Sequence, residues 1–215
     1  ELDGEPNGKE EAWIILDVEE GSRSNVLLGF TEETDAAAAR DAVGSAAIEP
    51  AMRSVDVKRG DVVPVPGGCV HAIQPGLMLL EAQQSSDLTY RIWDYARLGP
   101  DGEPRELHVD KSRAVVNPEL RPEVITPPAG DGRIHLVTMV PFDMERWTTG
   151  DRLAVEGRSG LVVIHAFEGA GTVAAGGEPV AVQAGETAVI GAGDAPIELS
   201  AAPDGGLAVY AMCPR

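Results

Sequence analysis

The stretch at 60–91, GDVVPVPGGCVHAIQPGLMLLEAQQSSDLTYR, decides the fold. An apolar run at 61–65 is followed by the breaker Pro-Gly-Gly, by an extended run at 70–73 and, after Gln-Pro-Gly, by an alternating run at 77–84. Short apolar runs separated by turn residues are typical of antiparallel strands. The stretch therefore predicts three strands joined by tight turns, with His71 at the rim of the second.

Short extended runs continue on both sides of this stretch. Upstream, the sequence predicts strands at 11–18 and 26–30, a short alanine-rich helix at 35–43 and a helical turn at 46–52. Downstream, it predicts a strand ending at 92–95, an extended piece at 105–109 and a helical turn at 111–117. Nine more short strands are predicted at 134–140, 142–147, 152–155, 160–168, 172–175, 178–183, 186–190, 196–200 and 206–212. This succession indicates an all-β sandwich or barrel with a small helical insertion.

The domain organisation follows from one proline-rich connection. Residues 118–132 contain Pro118, Pro122, Pro127 and Pro128 together with two glycines, which favours a linker. We therefore expect a first domain at 1–117 with its helical insertion near 32–52, and a second domain at 133–215.

Composition limits the partners. The formal net charge of -18, from 17 basic and 35 acidic residues, argues against nucleic acid and anionic membrane as partners. No apolar run approaches the ~20 residues that span a bilayer. The two cysteines, Cys69 and Cys213, are too few for a disulfide framework, so we expect reduced thiols and a cytoplasmic protein.

Four motifs in order carry a resemblance to a known family. The segments GKEEAW, PGGCVHAI, LLEAQQSSDLTYRIWDY and DGEPRELHVDK resemble the class I mannose-6-phosphate isomerases, in particular the short bacterial form. These are zinc enzymes of the cupin superfamily. The resemblance implies tandem cupin (jelly-roll) domains, the first catalytic and the second without a metal.

The same resemblance implies a function and a set of site residues. It implies the interconversion of mannose 6-phosphate and fructose 6-phosphate with Zn²⁺ as cofactor, a small sugar phosphate as the partner, and a monomer or homodimer. The implied metal ligands are Glu11 and His71, the implied catalytic residues are Arg91 and Lys9, and the implied substrate-binding residues are Arg105, Lys111, Gln83 and Asp87.

One family motif has no counterpart in this sequence. A Gln-x-His-Pro segment, which supplies further zinc ligands in the family, is absent upstream of Lys9, so the catalytic domain is expected to be incomplete at its N-terminus. Two ligands alone predict poor zinc affinity.

Other interpretations remain open from the residues alone. Glu11 could be a solvated strand-end acid, His71 a turn residue, and Arg91 a partner of Asp87 or Asp94 in a surface ion pair. The alternative function is a non-catalytic cupin that binds a sugar or sugar phosphate. A metal-dependent oxygenase or epimerase is disfavoured because the first half lacks a His-x-His pair.

Overall fold

The structure is a computed structural model that describes Gly4 and residues 8–86, 88–203 and 205–215. The chain divides into two compact units. Unit 1 extends to Val124 and unit 2 runs from Ile125 to Arg215. This division falls inside the proline-rich segment 118–132. The catalytic and metal-free roles of the two domains stay predictions.

The described residues of unit 1 form six strands and three short helices. In chain order these are β1 (Glu11–Val18), β2 (Asn25–Phe30), α1 (Ala36–Ala42), α2 (Ile48–Ala51), β3 (Met52–Asp56), β4 (Val62–Val65), β5 (His71–Ile73), β6 (Leu77–Gln83) and α3 (Val109–Val115). They form two three-stranded sheets with the orders β4-β1-β6 and β3-β2-β5. The three strands predicted around the central stretch are confirmed, and the sheet pairing separates β5 from β4 and β6.

The predicted helical insertion is confirmed and has a clear N-terminal signal. The Asp35 carboxylate accepts hydrogen bonds from the backbone N–H groups of Ala37 and Ala38, at 2.9 and 2.8 Å. This N-cap satisfies two donors that have no partner within the helix. Ala39 and Ala42 on the inner face are buried, so α1 packs on the core through small side chains.

The strand predicted to end at 92–95 and the extended piece at 105–109 are wrong. Between β6 and α3 the described residues form only an isolated bridge, between Leu98 and Pro104. Tyr95 and Ala96 have positive φ angles of 54° and 53°, which a strand does not allow. The predicted strand is not formed, because the backbone turns directly after Asp94.

Unit 2 consists of strands only in its described part. These are β7 (Gly132–Thr138), β8 (Phe142–Thr149), β9 (Arg152–Val155), β10 (Val162–Ala174), β11 (Val180–Gln183), β12 (Thr187–Ile190), β13 (Ile197–Ala201) and β14 (Leu207–Pro214). They form one sheet with the order β7-β8-β14-β10-β13-β9, in which β11 and β12 also pair with β10. The all-β class expected from the sequence is confirmed.

One predicted turn in unit 2 is wrong. Two strands were expected at 160–168 and 172–175, separated by the Gly-x-Gly at 169–171, but β10 runs through it. The register with β14 shifts between Ala166 and Glu168, and Gly169 has a φ of 76°. The glycine therefore bends the strand at a bulge instead of reversing it, and the two ends of β10 pair with different strands.

Replacing Gly169 by alanine is expected to destabilise unit 2 by about 2 kcal/mol. A Cβ at this position would collide with the backbone carbonyl oxygen of Gly206, and the positive φ would be strained. The control is Gly177→Ala, where no atom lies within 4 Å of the added Cβ. Urea unfolding of both variants measures the difference, and equal midpoints would contradict it.

No helix among the residues that the structure describes has the length and apolar character needed to cross a membrane. The cytoplasmic location stays a prediction.

Candidate metal and substrate site

Glu11 is a buried carboxylate of unit 1. It begins β1, which lies between β4 and β6, and it shares a strand face with Trp13 two residues later. Only 4% of Glu11 is exposed. The indole Nε1–H of Trp13 donates a hydrogen bond of 3.0 Å to Glu11 Oε2. One carboxylate oxygen is therefore held by the core and the other, Oε1, faces the remaining polar groups.

His71 presents a ring nitrogen to that second oxygen. Its Nδ1 lies 2.9 Å from the backbone carbonyl oxygen of Cys69, which can only accept, so Nδ1 carries the hydrogen. The neutral imidazole then has its lone pair on Nε2, and this atom lies 3.8 Å from Glu11 Oε1. A ring fixed through one nitrogen and open at the other is the usual arrangement of a metal-ligating histidine.

Lys9 and Glu81 complete the cluster, which we call the Glu11 cluster: Lys9, Glu11, Trp13, His71 and Glu81. The ammonium Nζ of Lys9 lies 3.4 Å from Glu11 Oε1 and 3.2 Å from Glu81 Oε1. Glu81 arrives there because it stands opposite Trp13 in the β1–β6 register. One cation between two carboxylates offsets their mutual repulsion.

The cluster raises the pKa values of both Lys9 and Glu81, with opposite consequences for their charge. Burial alone would lower the pKa of Lys9, but the charges of Glu11 and Glu81 outweigh it and raise that pKa, so Lys9 stays an ammonium. Burial, with the charge of Glu11, raises the pKa of Glu81 against the opposing effect of Lys9. A carboxylate with a raised pKa is a stronger base than an ordinary one.

The sequence predicted Lys9, Glu11 and His71 for this site, and the structure brings these three together. It did not predict Trp13 or Glu81 as site residues. The alternation of β6 places Glu81 on a strand face after two leucines, which is a signal of a polar environment. The pairing that brings Glu81 opposite Trp13 was not visible without the β1–β6 register.

The donor types of the cluster fit part of a zinc site. Zinc takes imidazole nitrogen and carboxylate oxygen, and sites of this kind have three or four protein ligands. His71 and Glu11 supply one donor of each type. Within the described ranges, no group of three or more His, Cys, Asp or Glu residues is placed to hold a metal ion.

A second cluster of unit 1 gathers the arginines. Asp94, 5% exposed, lies 2.6 Å from Arg97 through Oδ1 and 3.1 Å from Arg105 Nε through Oδ2. Burial would raise the pKa of Asp94, but Arg97, Arg105 and Arg91 lower it. The Arg91 guanidinium donates to the backbone carbonyl oxygen of Glu106 at 2.9 Å. We call these residues the Asp94 cluster.

The remaining predicted substrate residues occupy separate positions. The Lys111 ammonium lies 5.8 Å from the centre of the Tyr90 ring. Gln83 pairs with Glu11 in the register of β1 and β6, and its side chain is exposed. Asp87 lies outside the described residues. The substrate-binding roles of Arg105, Lys111, Gln83 and Asp87 stay predictions.

Unit 2 carries a related arrangement around Glu145 on β8. Trp147, two residues later, donates from its indole Nε1–H to Glu145 Oε2 at 2.7 Å, and Glu145 is 2% exposed. Here Arg133 binds both carboxylate oxygens, at 2.5 and 2.6 Å, and Arg158 binds Oε1 at 2.7 Å. Although burial opposes it, these donors lower the pKa of Glu145 to about 2.

Comparisons with known proteins show which proteins this chain resembles. No family profile matches the chain. The chain is 28% identical over 187 residues to the mannose-6-phosphate isomerase of Streptococcus mutans, an alignment that covers 85% of this chain and 58% of that protein. It is 30% identical over 180 residues to mannose-6-phosphate isomerase ManA of Bacillus subtilis, covering 79% of this chain and 54% of the relative. The chain thus spans about half the length of the curated relatives it matches.

Solved structures agree with the sequence relatives. The mannose 6-phosphate isomerase of Bacillus subtilis superposes with a TM-score of 0.79 at 26% identity, covering 97% of this chain and 66% of that one. A zinc-bound mannose 6-phosphate isomerase shares the fold with a TM-score of 0.70 at 16% identity, over 96% of this chain and 66% of that one. The predicted cupin fold and the predicted family resemblance are confirmed.

Proposed function

Because the chain is a homologue of the bacterial mannose-6-phosphate isomerases and has their fold, we propose that it belongs to a zinc-dependent isomerase that interconverts mannose 6-phosphate and fructose 6-phosphate. The observation that carries the proposal is the Glu11 cluster. Two ligand-type side chains, an ammonium and a second carboxylate converge at one end of β1. Isomerisation of an aldose to a ketose needs this combination of oxyanion stabilisation and proton transfer.

Glu11 and His71 would hold the zinc ion. Glu11 offers Oε1, since Oε2 is bound to the indole of Trp13, and His71 offers Nε2. When bound, zinc supplies Lewis-acid polarisation of a substrate oxygen. Two donors predict weak zinc binding by these side chains alone.

Glu81 is our candidate for the group that moves the proton between C1 and C2. Its side chain is 31% exposed, so it can reach a bound sugar, and it lies beside Lys9. In the forward direction it would take the proton from C2 of the aldose and return it to C1 of the cis-enediol, while the hydroxyl proton on O2 passes to O1, which gives the ketose. Lys9 would stay protonated and stabilise the negative charge that develops on the sugar oxygens.

Arg91 and Arg105 are proposed to provide the cationic side of the site. Three guanidinium groups, those of Arg97, Arg105 and Arg91, act on the one Asp94 carboxylate in a chain whose net charge is -18. Guanidinium groups bind phosphate through paired hydrogen bonds. Arg91, with Lys111, would then bind the 6-phosphate or stabilise the enediolate oxygen.

The first test combines metal content with an isomerisation assay. Zinc titration followed by elemental analysis is run on the protein and on Glu11→Gln and His71→Ala, and conversion of mannose 6-phosphate to fructose 6-phosphate is followed in parallel. We expect both variants to lose zinc and activity. The matched control is His135→Ala in unit 2, where the ring lies 3.2 Å from the Thr138 hydroxyl; this substitution is expected to change neither zinc content nor activity.

The outcomes separate the candidate functions. Zinc retained at full affinity in His71→Ala would contradict the ligand assignment. Binding of mannose 6-phosphate without conversion, at saturating zinc, would contradict the isomerase and support the non-catalytic sugar-phosphate-binding cupin.

A further inference from the structure

Trp13 contributes more to unit 1 than packing. Its indole is 1% exposed and lies in the core with Ile15, Val63 and Val65. The polar edge of the ring is turned to Glu11, and the hydrogen bond of 3.0 Å fixes Oε2. A buried carboxylate oxygen without a donor is costly, so this bond favours the rotamer of Glu11 in which Oε2 meets the indole N–H.

The same ring contacts the second ligand-type side chain. The rings of Trp13 and His71 are 5.3 Å apart and meet edge to face, at 72°. His71 is held on its far side by the Cys69 carbonyl oxygen. The imidazole is therefore confined from two directions, and its Nε2 is left facing Glu11 Oε1.

In unit 2 the same Glu-x-Trp hydrogen bond recurs around a carboxylate with different neighbours. Trp147 binds Glu145 in the same way, through the same pair of atoms and at the same spacing on a strand. The neighbours of Glu145 are two arginines, whereas those of Glu11 are Lys9 and His71. The tryptophan thus orients the carboxylate group, and the neighbouring side chains determine what the second carboxylate oxygen binds.

We propose that Trp13 is a positioning residue, which holds Glu11 Oε1 and His71 Nε2 facing each other as a preformed pair of ligand atoms for a divalent cation. The inference rests on the proposed function for the identity of that cation. The orientation of the two side chains is a separate claim about the protein without metal. Loss of a positioning group of this kind commonly weakens metal binding by ~10–100-fold.

The sharpest test removes the indole N–H and nothing else. Site-specific replacement of Trp13 by benzothienylalanine keeps the shape of the ring and substitutes sulfur for N–H. Trp13→Phe is the genetically encoded counterpart, and its fold is checked by urea unfolding. The matched control is the same replacement at Trp147, whose glutamate faces arginines. Zn²⁺ is titrated into each protein, and kcat and KM are measured at saturating zinc.

We expect the benzothienylalanine variant to bind zinc ~10–100-fold more weakly than the parent, with kcat reduced and KM for the sugar phosphate unchanged. The Trp147 control should bind zinc like the parent. Unchanged zinc affinity in the folded Trp13 variant would overturn the proposal.

A readout in the absence of metal separates this inference from the proposed function. The ring ¹H and ¹⁵N chemical shifts of His71 report its tautomer and surroundings in the metal-free protein. They are expected to change in the Trp13 variant and to stay unchanged in the Trp147 variant. If the parent protein bound no zinc at all, the proposed function would fail, and identical His71 spectra would independently overturn the positioning role.

Discussion

Glu81→Gln is expected to lower kcat for isomerisation by about 10²–10⁴-fold, because a general base contributes a factor of this size and an amide cannot accept the proton. Glutamine keeps the length and shape of the side chain, so KM and zinc binding should change little. The comparison is Glu20→Gln, an exposed carboxylate in unit 1 that should leave kcat unchanged. Steady-state kinetics with mannose 6-phosphate measures both.

The pH profile tests the same assignment. Because the pKa of Glu81 is raised above its ordinary value of 4.5 in the substrate-free protein, the acidic limb of kcat/KM against pH should lie above pH 4.5. Activity should rise as Glu81 loses its proton, and this limb should disappear from the residual activity of Glu81→Gln. An unchanged acidic limb in the variant would assign the base to another group.

Glu145→Ala is expected to destabilise unit 2 by about 3 kcal/mol at neutral pH. The substitution removes the acceptor shared by Arg133, Arg158 and Trp147, and it leaves two guanidinium groups without their counter-charge next to the core. The arginines are partly exposed, which puts the cost at the lower end for a buried ion pair. Hydrogen exchange of the β14 amides measures the opening of unit 2 by itself.

The effect of this substitution should depend on pH in a defined direction. The pKa of Glu145 is about 2 in the folded state and 4.5 ordinarily, so its stabilisation is complete above pH 4.5 and is lost as the pH falls toward 2. The difference between the parent and Glu145→Ala should therefore shrink over that range. Glu178→Ala, at an exposed position of unit 2, should show neither the loss nor its pH dependence.

Local patterns were sufficient to predict much of the fold. The short, mostly apolar run from Glu11 to Val18 predicted β1 with its observed bounds, since a strand buried on both faces is apolar along most of its length. The helical insertion was predictable because Asp35 is a strong N-cap. The segment after Arg91 was not, because its backbone follows a positive-φ turn at Tyr95 and Ala96 that no glycine or asparagine announces.

Only those residues of the candidate site that belong to a recognisable motif could be predicted from the sequence. Lys9 stands two residues before Glu11, which begins β1, and His71 belongs to a recognisable segment. Trp13 reads as an ordinary core residue in the sequence, and its contribution depends on where one N–H points. Glu81 depends on the register of two strands that are separated by some sixty residues of chain, which no local pattern specifies.

The tryptophan-bound glutamate of unit 2 matters for how roles are transferred between repeated folds. An alignment guided by the two tryptophans would pair Glu145 with Glu11 and assign it a share in cation binding. The oxygens of Glu145 already accept hydrogen bonds from Arg133, Arg158 and Trp147. Glu145 therefore has a structural role, although it is the same residue type at the aligned position. In proteins built from paired β-domains, the charge of the side chains around a carboxylate is thus a better guide to its role than its aligned position.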